Sequence, residues 1–293
     1  MFEGAYTAMV TPFDADGKVN EDGLRANVRY QIKHGIHGLV PTGTTGESPT
    51  LSYEEHNRVV EVVVDEADGK VPVLAGTGSN STWEAIMITR HAKEVGADGA
   101  LVVVPYYNKP TQAGLYAHFK KLAEEVDIPQ VIYNIPSRTG VNMLPETMAR
   151  LAKLKNIVGD KEASGDLKQV AQVIELTKGE DFTVTSGDDA LTLGVMELGG
   201  QGVISVASNI VPSEVVKLVD SFRSGNVEMA RRINDELAPL FKAIFVETNP
   251  GPVKLAMNWM GMAAGGYRLP LVGLEPESQA KLRKVLSDMG LLK

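Results

Sequence analysis

Short apolar runs rich in β-branched residues recur along the chain, each followed by a longer stretch with apolar positions three and four apart. The first kind predicts strands buried on both faces, the second amphipathic helices. Strands are predicted at 5–10, 37–41, 71–76, 100–104, 130–134, 157–161, 182–186 and 203–206. Helices are predicted at 21–34, 53–66, 82–94, 112–125, 145–154, 166–177, 190–198 and 213–224. Asn20, Ser52, Ser81 and Thr111 stand at helix starts, where a short oxygen-bearing side chain caps free backbone N–H groups.

Strict strand–helix alternation implies a parallel sheet, because parallel neighbours need a crossover. A closed barrel and an open doubly wound sheet both satisfy it. The count of eight favours closure, and the turn after the first strand, Thr11 to Gly17, lacks a G-x-G-x-x-G fingerprint. The expected fold is α/β, a (β/α)8 TIM barrel over residues 1–225. From residue 226 onward the pattern is helical only, at 227–246, 253–260 and 277–289, so 226–293 reads as a C-terminal helical extension. No low-complexity linker separates the two, and one cooperative unit is expected.

Composition narrows the chemistry. Net charge is −8 and no Lys/Arg block stands out, which argues against nucleic acid or an anionic membrane as partner. There are no cysteines, so disulfides, thiolate catalysis and thiolate metal sites are excluded, and a reducing compartment fits. The opening residues carry neither a basic segment nor an apolar one, and no apolar run approaches the roughly 20 residues of a membrane span. A cytoplasmic protein is expected.

In such a barrel the site lies at the carboxyl ends of the strands. Strand six ends Ile157-Val158-Gly159-Asp160-Lys161, and period-2 alternation puts Ile157, Gly159 and Lys161 on one face, with Gly159 leaving space beneath the amine. In-step pairing with strand five would bring Tyr133 beside Lys161. A lysine must be neutral to attack a carbonyl, yet only about one in 2500 is neutral at pH 7 with an unperturbed pKa. Burial would lower that pKa, as would a nearby cation, for which Arg138 is the candidate. The alternative is a rim lysine paired with Glu162 or Asp188.

The other strand-end loops offer partners. Gly43-Thr44-Thr45-Gly46-Glu47 could nest a small carboxylate on its backbone N–H groups, or merely connect strand to helix. Tyr133 could move protons or be a half-buried aromatic with a wet tip. Tyr106 and Tyr107 could be an oligomer contact, and Arg138 could grip a carboxylate or form a surface ion pair. None of the five histidines falls in a strand-end loop, so a histidine metal site or a Ser-His-Asp triad is poorly supported. Asp188-Asp189 at strand seven would repel phosphate, so a substrate bearing carboxylates is expected.

Gly43-Thr44-Thr45-Gly46-Glu47, Tyr133-Asn134-Ile135-Pro136-Ser137-Arg138-Thr139-Gly140 and Lys161-Glu162-Ala163 together resemble the dihydrodipicolinate synthase family, a branch of the pyruvate-dependent class I aldolases. The resemblance spans essentially the whole chain. It implies that Lys161 forms an imine with pyruvate, and that the derived enamine attacks L-aspartate 4-semialdehyde on the way to diaminopimelate and lysine. It assigns Tyr133, Thr44 and Tyr107 to a proton relay, with Tyr107 given by a neighbouring subunit of a homotetramer built as a dimer of dimers. It assigns Arg138 to the semialdehyde carboxylate, Gly43 and the Thr44/Thr45 backbone to that of pyruvate, and the Ile204 carbonyl to the border of the lysine. No cofactor beyond the covalent imine, and no metal, is implied.

Many such enzymes are inhibited by L-lysine at the dimer interface, where the matching positions are Ser48, Pro49, Tyr53, His56, Asn80, Glu84 and Tyr106. His56 and Glu84 agree with the sensitive pattern. Tyr53 replaces a histidine and Pro49 an alanine of the sensitive enterobacterial forms. The competing readings are a related aldolase, such as N-acetylneuraminate lyase or a keto-deoxy sugar acid aldolase, and a non-catalytic effector-binding barrel. Arg138 speaks against the first, because it suits a short substrate with a second carboxylate. The presence of both Lys161 and Tyr133 speaks against the second.

Overall fold

Eight parallel strands, β1 (Gly4–Ala8), β2 (Gly38–Val40), β3 (Leu74–Gly76), β4 (Gly99–Val103), β5 (Gln130–Asn134), β6 (Ile157–Glu162), β7 (Thr183–Ser186) and β8 (Gly202–Ser205), form one sheet. The computed structural model describes residues 1–292. The strands follow the order β2-β1-β8-β7-β6-β5-β4-β3, and a parallel bridge between Leu39 and Val73 joins the two ends into a barrel. Around it run α1 (Glu21–Lys33), α2 (Tyr53–Ala67), α3 (Thr82–Glu94), α4 (Gln112–Glu125), α5 (Pro136–Thr139), α6 (Pro145–Leu151), α7 (Leu167–Leu176), α8 (Thr192–Glu197) and α9 (Pro212–Arg223). The extension is α10 (Val227–Ala243), α11 (Gly251–Trp259) and α12 (Pro276–Asp288).

The caps sit where the sequence puts them. Asn20 accepts from the Gly23 N–H, and Ser52 with Glu55 closes a reciprocal capping box at α2. Ser81 and Thr111 cap α3 and α4 by accepting from the Glu84 and Gly114 N–H groups. Each such cap contributes about 1 kcal/mol.

Tyr6, Val40, Leu74, Leu101, Val131 and Ile204 fill the barrel. Outside it, Val102, Ile132 and Ile157 pack against Phe119 and Leu122 of α4 and Met148 and Leu151 of α6. On the other side Leu39 and Val203 share a core with Leu237, Val253, Met257 and Leu282 of the extension. Burying such a side chain contributes about 1.5–3 kcal/mol.

Three details depart from the period reading. The segment 136–139, read as loop, is the short helix α5, opened by Pro136 and closed by Gly140 in the left-handed region. The stretch 190–198 divides into a 3-10 turn, Asp189–Leu191, and α8. The third is a bulge in β6. Gln130 pairs with Ile157, but Val131 pairs with Gly159, so Val158 is an extra residue. Ile157 therefore packs in the outer layer while Val158 joins the barrel interior. Ile157 does not share the face of Gly159 and Lys161, because the bulge resets the alternation between them.

Candidate active site

Lys161 lies directly opposite Tyr133 on β5 and Thr185 on β7. The in-step pairing anticipated from sequence is thus present. The lysine is 5% exposed, and its Nζ stands 4.2 Å from the centroid of the Tyr133 ring. Glu162 is occupied elsewhere: it accepts from the Asn134 and Gln169 amides and from the Ser164 N–H. Asp188 accepts from the Ala190 N–H. The alternative of a rim lysine paired with either is not what the structure holds.

Burial pushes the Lys161 amine down to about 7. The nearby Asp189 carboxylate opposes that fall, and Arg138 adds to it. About half of such amines are neutral at pH 7, against about one in 2500 for a free lysine. Burial also raises the Tyr133 phenol to about 12, while Arg138 and the Thr44 hydroxyl beside it hold it back. At neutral pH this phenol keeps its proton and can hand it on.

The glycine that makes room for the amine is not Gly159. A Cβ at Gly159 would fall 2.7 Å from the Thr183 carbonyl, so that glycine lets β7 approach β6. A Cβ at Gly187 would meet the Lys161 stem, at 3.1 Å from Cε and 3.2 Å from Cγ. Gly187 is the residue that leaves the lysine its channel, and no period or spacing singled it out.

A cavity of about 570 Å³ opens at this end of the barrel. Gly43, Thr44, Tyr133 and Arg138 line it. Lys161 is not on the wall but adjoins it through the Tyr133 ring. In the turn after β2, the Gly46, Glu47 and Ser48 N–H groups fold back onto the carbonyls of Gly43 and Thr44. Those of Thr44 and Thr45 make no such bond, which leaves them to a ligand. Thr45 is buried behind the turn, and its hydroxyl accepts from the Asn249 side chain at 3.0 Å. Arg138 is on α5 and donates to the Asn249 carbonyl at 3.3 Å. Asn249, from the connection into α11, thus touches both expected carboxylate anchors. Sequence reasoning missed it, since nothing in local pattern links it to residues over a hundred positions away.

Ile204 lies in the interior cluster that also contains Tyr133. Beside it Asp189 is buried and accepts from the Ser205 hydroxyl and from the Val206 and Ala207 N–H groups, tying the end of β7 to the end of β8. Asp189, one of the two acids at the end of strand seven expected to repel phosphate, is held by these three donors. Tyr107 stands apart, 86% exposed and with a left-handed backbone, φ 72°. Its own chain's cavity does not include it. The cavity does extend to Ser48, Pro49, Tyr53, His56, Glu84 and Tyr106, with Asn80 outside its walls. His56 donates its Nε2–H to the Gly76 carbonyl, 2.9 Å away, and burial lowers its pKa to about 4. Among the described residues, no group of three or more His, Asp or Glu could hold a metal ion. No helix among them is long and apolar enough to cross a membrane.

A closed (β/α)8 barrel with a buried, readily neutral lysine at a strand end, a proton-bearing phenol beside it and an arginine across the cavity defines an enzyme of the lysine-imine aldolase class. The comparisons with known proteins sharpen that to a family. The model of the dihydrodipicolinate synthetase family matches residues 1–289. A 4-hydroxy-tetrahydrodipicolinate synthase of Syntrophus aciditrophicus is 56% identical over 292 residues, all of both chains. One from Methanothrix thermoacetophila is 55% identical over 289 residues, 99% of this chain and 97% of that one. A dihydrodipicolinate synthase from Aquifex aeolicus superposes with a TM-score of 0.97 at 50% identity, covering 99% of each chain. One from Cyanidioschyzon merolae, solved with lysine bound, gives 0.96 at 43% identity, again over 99% of each. The chain belongs to the dihydrodipicolinate synthetase family.

Proposed function

We propose that the chain condenses pyruvate with L-aspartate 4-semialdehyde to 4-hydroxy-tetrahydrodipicolinate, the first committed step toward diaminopimelate and lysine. The observation that carries this reading is the buried Lys161 amine, poised near neutrality against Tyr133 in a family whose relatives bear that activity. The neutral amine attacks the ketone of pyruvate, water leaves, and an iminium remains. Loss of a methyl proton gives the enamine, whose carbon attacks the semialdehyde's aldehyde while the new alkoxide takes a proton. The semialdehyde's own amine then adds to the imine carbon, expels Lys161 and closes the ring.

Tyr133 and Thr44 supply the nearest hydroxyls for those transfers, and Tyr107 of a second copy completes the relay. The turn with the free Thr44 and Thr45 N–H groups, edged by Gly43, takes the pyruvate carboxylate, and Arg138 takes that of the semialdehyde. The Ile204 carbonyl borders the lysine. The covalent imine itself serves in place of a cofactor. The assembly we read with this site is a homotetramer, a dimer of dimers, in the cytoplasm. L-Lysine is read as an effector at Ser48, Pro49, Tyr53, His56, Asn80, Glu84 and Tyr106; that a relative was solved with lysine bound supports binding of this ligand in the family.

Borohydride added with pyruvate tests the central step. The expected result is one pyruvyl adduct per chain, located on Lys161 by peptide mass. Turnover should require the semialdehyde and be absent with N-acetylneuraminate. An adduct on another lysine, or none, contradicts the proposal.

A further inference from the structure

A second buried lysine lies under the turn that receives the pyruvate carboxylate. Lys254, on α11, is 0% exposed, and its Nζ donates to Glu47 at 2.6 Å and to the Thr11 carbonyl at 3.1 Å. Phe13 covers the cation, with its ring centroid at 4.3 Å. The second Glu47 oxygen accepts from the Arg268 backbone N–H at 3.2 Å, and Arg268 itself grips Glu55 of α2 with both arms.

Glu47 ends the Gly43–Glu47 turn in the left-handed region, at φ 54°, and Thr42 before the turn has the same φ. Two non-glycine residues held there store strain, which persists only where the surroundings over-determine it. At Thr42 the hydroxyl bonds the Gly76 carbonyl at 2.9 Å. At Glu47 the restraint is the ion pair. Thr11 adds to it by donating its hydroxyl to the Gly46 carbonyl at 2.6 Å while its own carbonyl holds Lys254. Lys254 thereby does two things. It anchors the turn so that the Thr44 and Thr45 N–H groups stay directed outward, and it neutralises a carboxylate that would repel an anionic substrate.

We propose that Glu47 and Lys254 are positioning residues for the pyruvate carboxylate, acting through the backbone of the intervening turn. The C-terminal extension is on this view part of the substrate site. The inference rests on the pyruvate reading above.

The test compares Lys254→Met, which strands the Glu47 charge, with the neutral pair Glu47→Gln/Lys254→Met. The measurement is the pyruvate concentration that half-saturates borohydride trapping on Lys161, beside the thermal midpoint. In Lys254→Met that concentration should rise about tenfold or more, with the trapping rate at saturation little changed. In the neutral pair the midpoint should recover toward the parent, because burying two matched neutral groups avoids the cost of a lone charge. Half-saturation should nevertheless stay raised. A folded neutral pair with the parent's half-saturation overturns the proposal, and so does failure of both variants to fold, which would make the pair a staple of the whole barrel. If the unsubstituted chain itself traps no pyruvate, the pyruvate reading falls, and this one with it.

Discussion

Lys161 shows how much a side chain's character depends on its surroundings. Its folded pKa, about 7, lies far below the ordinary value near 10.5. Between those values the unfolded chain binds a proton that the native chain does not. Stability therefore rises with pH across that window and is lowest below pH 7. Lys161→Met removes the burden, so it should abolish trapping yet raise stability at pH 6–7 by on the order of a few kcal/mol at most, and the thermal midpoint with it. The gain should shrink toward pH 10. Melting curves of the two proteins at pH 6, 7 and 9 check this; a variant that is less stable at pH 6 would show that packing of the stem outweighs burial of the amine. In the parent, the rate of trapping should climb through pH 7 as the amine loses its proton. The inward Lys161 and its Tyr133 neighbour could be read from strand order. Gly187 could not, because a glycine's role depends on what another strand brings to it.

At the level of elements, the rim is built from loops that hold one another. Asp189 is the clearest case, since one carboxylate satisfies a hydroxyl and two N–H groups at the start of the turn after β8. Asp189→Ala leaves all three donors buried without an acceptor, at a cost of about 2–4 kcal/mol. Amide exchange at Val206 and Ala207 should accelerate, with slower trapping at Lys161 because Ile204 loses its footing. Unchanged exchange at those two amides would remove Asp189 from this role. The eight strands and their caps were legible because each leaves a local period or a start signal. Four-residue α5, which presents Arg138, is too short to show a period. Asn249 and Lys254 look like ordinary polar positions of a helical region, and only the tertiary contact with residues 42–47 gives them meaning.

For the whole molecule, the feature that asks for a partner is Tyr107. An aromatic 86% exposed, on a left-handed backbone, is an expensive thing to present to water. Its N–H is held by the Thr139 carbonyl, in the short helix α5 that carries Arg138. Seated in a second copy, the ring would be covered and would complete that copy's proton relay. Sedimentation of the chain should give the mass of four 31.5 kDa copies. Dilution to dimers should preserve turnover, and dilution to monomers should lose it. Fully active monomers would exclude Tyr107 of a partner from the chemistry. Calorimetry should likewise show L-lysine binding that Glu84→Ala removes. No periodicity announces such assembly; an exposed tyrosine in a loop reads the same whether it is decoration or contact.

The bulge at Val158 decides which of two opposite charges the barrel receives. From Gly159 onward the strand alternates, with Lys161 inward and the buried Asp160 on the other side. Had Val158 paired in turn instead of bulging, with Ile157 still in the outer layer, the phase would invert: Asp160 would face the cavity and the amine would be driven among the helices. Deleting Val158 would only straighten the strand and keep Lys161 opposite Tyr133, whereas losing the bulge with every residue kept would change the sign of the centre. The reading frame of one strand is as much a determinant of this chemistry as the identity of its lysine.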